Sequence, residues 1–251
     1  MRVLLFSDIH GNLEALQACL ALAPPHDVLA NLGDIVGYGA CPNEVIALVR
    51  ERESLVVRGN HDKACAGLTD LHYFNPVAGM AVLWTQRALT PENLAWLRDL
   101  PQGPLQSEAL PGVLFAHGSP MDEDEYLILP NDAVVPLVDT GVPTIFFGHT
   151  HLQGGFCLDV GEPRALRPVY RQPGRSESFE LPLQTDVRYL INPGSVGQPR
   201  DADPRAAFAL FDSEARTVTY FRAPYDIARA QQRIRDASLP ERLALRLAEG
   251  R

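Results

Sequence analysis

Apolar and polar positions along the chain switch between two periods, and the switches mark out its elements. Residues 2–6 (RVLLF) form a short β-rich run that stops at polar residues, the mark of a buried strand. In residues 12–22 (NLEALQACLAL) the apolar positions recur at helical spacing until Pro24 and Pro25 end the pattern. Residues 27–34 predict a second strand, 42–52 a second helix, and 54–62 a third strand running into a loop. Strand and helix alternate, which predicts an α/β layered core with its chemistry at the strand ends.

From about residue 63 to 100 the strand signal disappears. Residues 75–89 and 91–100 read as two helices, the second capped by Thr90 with Pro91 at its first position. A helical insertion lying over one end of the sheet is expected there. Strand followed by polar loop returns at 112–120 and 143–151. The segment 161–186, rich in Pro, Arg, Ser and Glu, reads as a connecting loop or irregular hairpin. Beyond it, residues 189–197, 205–212 and 216–224 predict a second, more antiparallel set of strands. Two helices, over 226–237 and 240–250, follow. With no repeat, low-complexity tract or linker in between, residues 1–251 are expected to form one domain.

Composition narrows the function more than the fold. A hydrophobic content of 46% with 21% charged residues is that of an ordinary globular chain able to bury a core. The formal charge of −9 argues against a general nucleic-acid binder, since no basic surplus exists to neutralise a phosphate backbone. An anionic substrate would have to be drawn by local cations such as metal ions. Cys19, Cys41, Cys65 and Cys157 are widely spaced without a CxxC pair and read as reduced thiols. The first residues lack the apolar length and cleavage site of a signal peptide, and no apolar run approaches the roughly 18 residues that cross a bilayer. A cytoplasmic protein without membrane contact is expected.

The strand ends carry the chemistry. The first leaves SDIHGN behind it, with Asp8 and His10; the second ends in LGD, with Asp34. The third ends in RGNHD, with Asn60 and His61; the fourth in AHGSP, with His117; the fifth in GHTH, with His149 and His151. Five of the seven histidines in the chain therefore lie at strand exits, which scattered surface histidines would not do. Imidazole and carboxylate together suit divalent ions such as Mn, Fe or Zn. Asp8 and His10 are two positions apart, so an extended exit would aim both at one ion, and His149 and His151 share that spacing. Asp34 could bridge two ions about 3.5–4 Å apart, as two-metal phosphoester cleavage requires. Asp8 could instead cap the helix that begins near Asn12, but Asn12 itself serves that role.

In this order the five motifs SDIHGN, GDIVGYG, GNHD, AHGSP and GHTH resemble the calcineurin-like metallophosphoesterase family, from residue 1 to about 200. The resemblance implies a four-layer α-β-β-α sandwich of two mixed β-sheets flanked by helices, with a dinuclear centre at the strand ends. It implies that one divalent ion takes Asp8, His10, Asp34 and His151, and the other Asp34, Asn60, His117 and His149. Manganese is the expected metal, with iron, zinc or nickel as alternatives. His61 would bind no metal and act as the acid near the leaving group. Two divalent ions outweigh two aspartates and a bridging hydroxide, which attracts phosphate, and metal binding lowers the pKa of water to supply a nucleophile.

Other positions are less determined by the sequence. Tyr38 fits either the core or the border of a substrate site, and Arg58 fits a structural role at its strand end. Cys41 has no nearby base and does not read as a catalytic thiol. The stretch NPGSVGQPRD (192–201) demands a tight turn, and Arg200 in it either reaches the substrate phosphate or pairs with Asp201 or Asp203 on the surface. Ser/Thr protein phosphatases of the superfamily show GDxVDRG, where this chain has Gly37 and Tyr38 in place of the aspartate and arginine; GNHD also replaces GNHE. The missing groups would orient the acid histidine and grip phosphate, so the pattern looks more like the bacterial and archaeal small phosphodiesterases. The expected function is a metal-dependent phosphoesterase acting on a small or nucleotide-type phosphoester. The alternatives are a bis(nucleoside) polyphosphatase or protein phosphatase, and a non-catalytic scaffold of the same fold, which the complete ligand set disfavours.

Overall fold

The computed structural model describes residues 1–52 and 54–251. The chain runs β1 (Arg2–Phe6), α1 (Leu13–Leu22), β2 (Val28–Asn31), α2 (Pro42–Arg50), β3 (Ser54–Val56), then α3 (Asn60–Cys65), α4 (Pro76–Ala88) and α5 (Pro91–Arg98). It continues through β4 (Leu105–Gln106), β5 (Val113–Phe115), α6 (Val134–Asp139), β6 (Thr144–Phe146), β7 (Gly154–Asp159) and β8 (Glu162–Leu166). The remaining elements are β9 (Glu177–Pro182), β10 (Arg188–Asn192), β11 (Ala206–Asp212), β12 (Thr217–Ala223), α7 (Ile227–Asp236) and α8 (Glu241–Glu249).

Two mixed sheets result, ordered β3-β2-β1-β11-β12-β9 and β4-β5-β6-β10-β7-β8. In each, three neighbouring strands run parallel (β3, β2, β1 and β5, β6, β10), and antiparallel strands extend the sheet. Strand β1 shows why the layers stack. Val3, Leu4, Leu5 and Phe6 are all sealed from solvent, so both faces of the strand are covered. Leu4 and Phe6 pack with Leu16 and Cys19 of α1, Val45 and Ile46 of α2, and Leu97 of α5. Val3 and Leu5 face the other way, onto Phe146 of β6 and Ile191 of β10. The outer face of the second sheet, through Leu114, Ile145 and Leu190, meets Leu137 of α6. Helix, sheet, sheet and helix follow one another, as the resemblance implied.

Helix boundaries follow local chemistry. Asn12 caps α1 by accepting from the Ala15 N–H at 3.2 Å, and Thr90 caps α5 through the Asn93 N–H at 3.2 Å. Asn60 and His61 belong to the first turn of α3 and not to a loop. Two expectations are corrected. The late strands do not form a separate antiparallel set: β10 lies between β6 and β7 in the second sheet, and β11 inserts beside β1 in the first. The segment 161–186 is not a loop or irregular hairpin, because β8 edges one sheet and β9 the other. In β9 only Phe179 and Leu181 reach the core between the sheets, and the polar residues between them dilute the apolar signal.

Candidate metal centre

The parallel strands of both sheets end at one place, and the backbone there departs from the extended form the sequence suggested. Asp8, His10, Asp34, Tyr38, His149 and His151 all have positive φ, between 49° and 64°. Such left-handed residues cost about 1–2 kcal/mol each outside glycine, and here backbone hydrogen bonds between segments hold them. Asp8 N–H donates to Gly33 O at 2.9 Å, His10 N–H to Asp34 O at 2.9 Å, and Gly197 N–H to Asp8 O at 2.9 Å. Close approach also requires glycine at 148, where a Cβ would lie 1.9 Å from Ser7 Oγ. Asp8 and His10 still converge, but His149 and His151 do not share an ion-sized space. One group of donor atoms comprises Asp8, His10, Asp34 and His151; the other comprises Asp34, His117 and His149. Asn60 joins the second, its Oδ1 3.2 Å from His117 Nε2. Asp34 Oδ2 lies 3.6 Å from His10 Nε2 and 3.5 Å from His117 Nε2, so one carboxylate oxygen touches both groups.

Each of the four imidazoles spends one nitrogen on a backbone carbonyl. His10 Nδ1 meets Val36 O at 3.1 Å, His117 Nδ1 meets Leu32 O at 2.7 Å, and His151 Nδ1 meets Gln198 O at 2.6 Å. His149 is reversed, with Nε2 3.2 Å from Asp124 O. A carbonyl only accepts, so each of these nitrogens carries the hydrogen, and in a neutral ring the other bears the lone pair. The remaining nitrogens then face one another: His10 Nε2 and His151 Nε2, both bearing lone pairs, are 3.1 Å apart, and the His149 Nδ1 lone pair lies 3.1 Å from His117 Nε2, which holds the one proton there. Two lone pairs at that distance repel unless a cation lies between them. Asp8 Oδ1, buried without a hydrogen-bond partner, points to the same need. The donor set of imidazole, carboxylate and amide oxygen fits divalent transition ions.

The electrostatics agree. Burial disfavours charge on His117, yet the Asp34 carboxylate, through its charge and a hydrogen bond, raises this imidazole to about 10. Asp34 is held well below the carboxylate range against its burial, by His117 and His61. His149, buried and beside His117, falls to about 3. The centre thus favours positive charge where the imidazoles meet and supplies only one proton to provide it.

A family model described as calcineurin-like phosphoesterase matches residues 1–153. The chain belongs to that family. An uncharacterized protein of Methanocaldococcus jannaschii is 38% identical over 259 aligned positions, covering 99% of this chain and 98% of the relative. Among solved structures, a metallophosphoesterase from Sphaerobacter thermophilus is 40% identical, with a TM-score of 0.82, over 100% of this chain and 99% of that one. A hypothetical protein from Pyrococcus horikoshii OT3, 22% identical with a TM-score of 0.78 over 100% and 98% of the two chains, shares the fold.

Around the donors of this phosphoesterase-family chain lie the remaining residues that the sequence singled out. His61 stands with its ring centroid 4.9 Å from that of His10 and 4.3 Å from that of Tyr38. Its N–H donates to Asp34 Oδ1 at 2.8 Å, turning that carboxylate toward the two groups. Burial drops the His61 imidazole to about 4, the Asp34 charge opposing. His61 Nδ1 is buried without a partner, and a Cβ built on Gly37 would lie 2.6 Å from it. The position that carries aspartate in the protein-phosphatase pattern thus leaves this nitrogen bare. Arg200 is not paired with Asp201 or Asp203, which instead hold Arg222 and Arg205. Its guanidinium lies 5.9 Å from the Tyr38 ring, beside Gln198 Oε1 at 3.1 Å. Arg58 is tied to Glu123 at 2.8 Å, and burial pushes the Cys41 thiol up to about 11. The four cysteines are free thiols. His26 and His72 are exposed and belong to neither group.

Several residues at the centre escaped the sequence reading. Asp62, fully buried, accepts from the Val36 and Gly59 N–H groups at 3.1 Å each, fixing the loop that carries Asp34 against the start of α3, where Asn60 lies. Burial and the neighbouring Asp34 raise it to about 7. Its signal was present in GNHD, but as a departure from GNHE and not as a backbone anchor. Tyr126 lies over His149 with ring centroids 3.8 Å apart, and Phe74 meets His61 at 5.1 Å. Neither belongs to a motif, so no local signal identified them.

Proposed function

We propose that this chain is a metal-dependent phosphoesterase that hydrolyses a small or nucleotide-type phosphoester at a dinuclear centre, working as one cytoplasmic domain. The observation that carries this reading is the pair of imidazole contacts, His10 with His151 and His117 with His149, where ring nitrogens converge with a single proton between the four, joined by the shared Asp34 oxygen. One divalent ion would be held by Asp8, His10, Asp34 and His151, the second by Asp34, Asn60, His117 and His149; manganese is the first choice, then iron, zinc or nickel. When bound, such ions supply Lewis acidity at the phosphoryl oxygens and an acidified water at neutral pH.

The chain's own residues account for the rest. His61, bonded to Asp34 through its backbone and lining the adjoining cleft, donates its proton to the leaving oxygen. Its low affinity for a proton in the free protein rises once an anionic phosphoester is seated beside it. Arg200, unpaired with any carboxylate among the described residues, holds a phosphoryl oxygen or a flanking group, with Tyr38 as the platform beneath it. No helix among the described residues is long and apolar enough to cross a membrane. A panel of monoesters, diesters and dinucleotides, assayed with added manganese, tests the reading; absence of turnover on all of them with metal bound would overturn it.

A further inference from the structure

A cleft of about 550 Å³ adjoins the centre, with Asn60, His61 and His149 at its inner end. Its volume is that of a pocket for a molecule of nucleotide size. Away from the donors the wall is aromatic. Phe74 stands edge-on to His61, at 87° between ring planes, and Tyr126 lies over His149, tilted by 33°. Tyr126 remains 49% exposed, so part of its ring is free to meet a ligand. Charge in the cleft is already spoken for. Lys63, the one lysine or arginine among the lining residues described, is held by Glu123 at 2.9 Å and Asp124 at 2.5 Å. Arg200 stands against Tyr38 and Tyr126 at the end of the cleft nearest the centre, where the scissile phosphate would sit. Farther out the Asp124 carboxylate borders the cleft, so a further phosphate there would meet an anion and a lysine already paired.

We propose that this cleft receives the leaving group and selects a neutral, planar aromatic one, with Tyr126 and Phe74 as the specificity-determining residues. The inference rests on the phosphoesterase reading and narrows it: the substrate is a phosphoester whose leaving alcohol carries an aromatic ring, of which a nucleoside is the biological group we commit to. His61 is what assigns the cleft to the leaving group, because the proton donor and the cleft share that side chain. The reaction balances as ordinary hydrolysis. The oxygen of water bonds to phosphorus and gives up one proton to solvent. The bond from phosphorus to the leaving oxygen breaks with its electron pair, and that oxygen takes one proton from His61.

The test compares two substrates with the same primary alcohol as leaving group: adenosine 5′-monophosphate and methyl riboside 5-phosphate, each also as its methyl diester. The metal-loaded full chain should show kcat/KM about tenfold or more higher for the adenosine compound, the usual scale of one base–aromatic stack. Tyr126→Ala and Phe74→Ala should each bring that ratio toward one; taking the ratio removes any loss common to both substrates. A ratio near one in the wild type, or an unchanged ratio in both variants, overturns the proposal. So does a preference for adenosine diphosphate, whose leaving group is itself anionic. Calorimetry with adenosine and methyl riboside needs no turnover: adenosine binding weakened by Tyr126→Ala upholds the cleft assignment even if no phosphoester is cleaved, and equal or absent binding of both sinks it.

Discussion

The two donor groups that share Asp34 are built from the same side-chain types but stand in different surroundings. Asp8, His10 and His151 are 0, 1 and 2% exposed, and the 192–200 turn closes over them. That turn holds His151 through Gln198 O, and Asp8 O accepts from Ser195 Oγ at 2.8 Å and from Gly197 N–H. The Tyr38 ring covers His10 at 4.7 Å. His117 and His149 are as deeply buried, at 0 and 3%, but the other group borders the cleft through Asn60 and His149. A donor set wrapped by three chain segments releases an ion only when those segments move. A set bordering a cleft exchanges its ion with solvent and meets the substrate. Under the two-ion proposal, retention would fall to the enclosed group and turnover to the one at the cleft.

The strongest way to break this comparison is to remove what the groups share. Asp34→Ala should lower kcat on the order of 10⁴-fold, several kcal/mol of transition-state stabilisation, with both ions weakened. A loss confined to one ion would show that Asp34 does not join the groups.

His61, between the enclosed group and the cleft, gives a pH-dependent test on the metal-free protein. Folding lowers this imidazole from 6.5 to about 4, so the unfolded chain binds the proton more readily between those values. The stability this neutral ring contributes is full above pH 6.5 and is lost as pH falls toward 4. Relative to His61→Phe, the wild type should lose up to about 3 kcal/mol over that window, measured by denaturant unfolding at each pH. A pH-independent difference would show the ring is not held neutral.

In the metal-loaded enzyme, His61→Ala should keep both ions yet lose about 10² or more in kcat. That loss should shrink for p-nitrophenyl esters, whose leaving group hardly needs a proton. Equal losses on good and poor leaving groups would remove His61 from the acid role. The smallest effect is expected at the rim. Arg200→Ala should reduce kcat/KM about tenfold at constant metal content, the scale of one charge-assisted hydrogen bond. Unchanged kinetics on every active substrate would return Arg200 to a purely structural place in its turn.

What the sequence made legible was chemistry at strand ends. Val3 to Phe6 announce a buried strand by themselves, and Asp8, His10, Asp34, Asn60, His117, His149 and His151 stand at the exits where the pattern put them. What it hid was conformation. The spacing of His149 and His151 suggested one shared face, but left-handed φ values of 64° and 60° send them to different groups. Period-two reasoning fails past the strand ends, where the chain turns into αL geometry and hydrogen bonds between loops hold it. Tyr126 and Phe74 were invisible for another reason: they reach the centre through tertiary placement, from segments with no chemistry of their own. Edge strand β9 was lost because half of its residues face solvent.

Counting bound metal tests the central claim most directly, by elemental analysis and native mass spectrometry of the purified wild type, His149→Ala and His151→Ala after brief exposure to a chelator. The wild type should carry two ions per chain before chelation and release one readily. His149→Ala should retain a single ion in the enclosed group, and His151→Ala should lose the retained ion while keeping its fold by circular dichroism. One ion or none in the untreated wild type, with manganese supplied in excess, would contradict a dinuclear centre, and identical losses in the two variants would contradict the division between an enclosed and an open group.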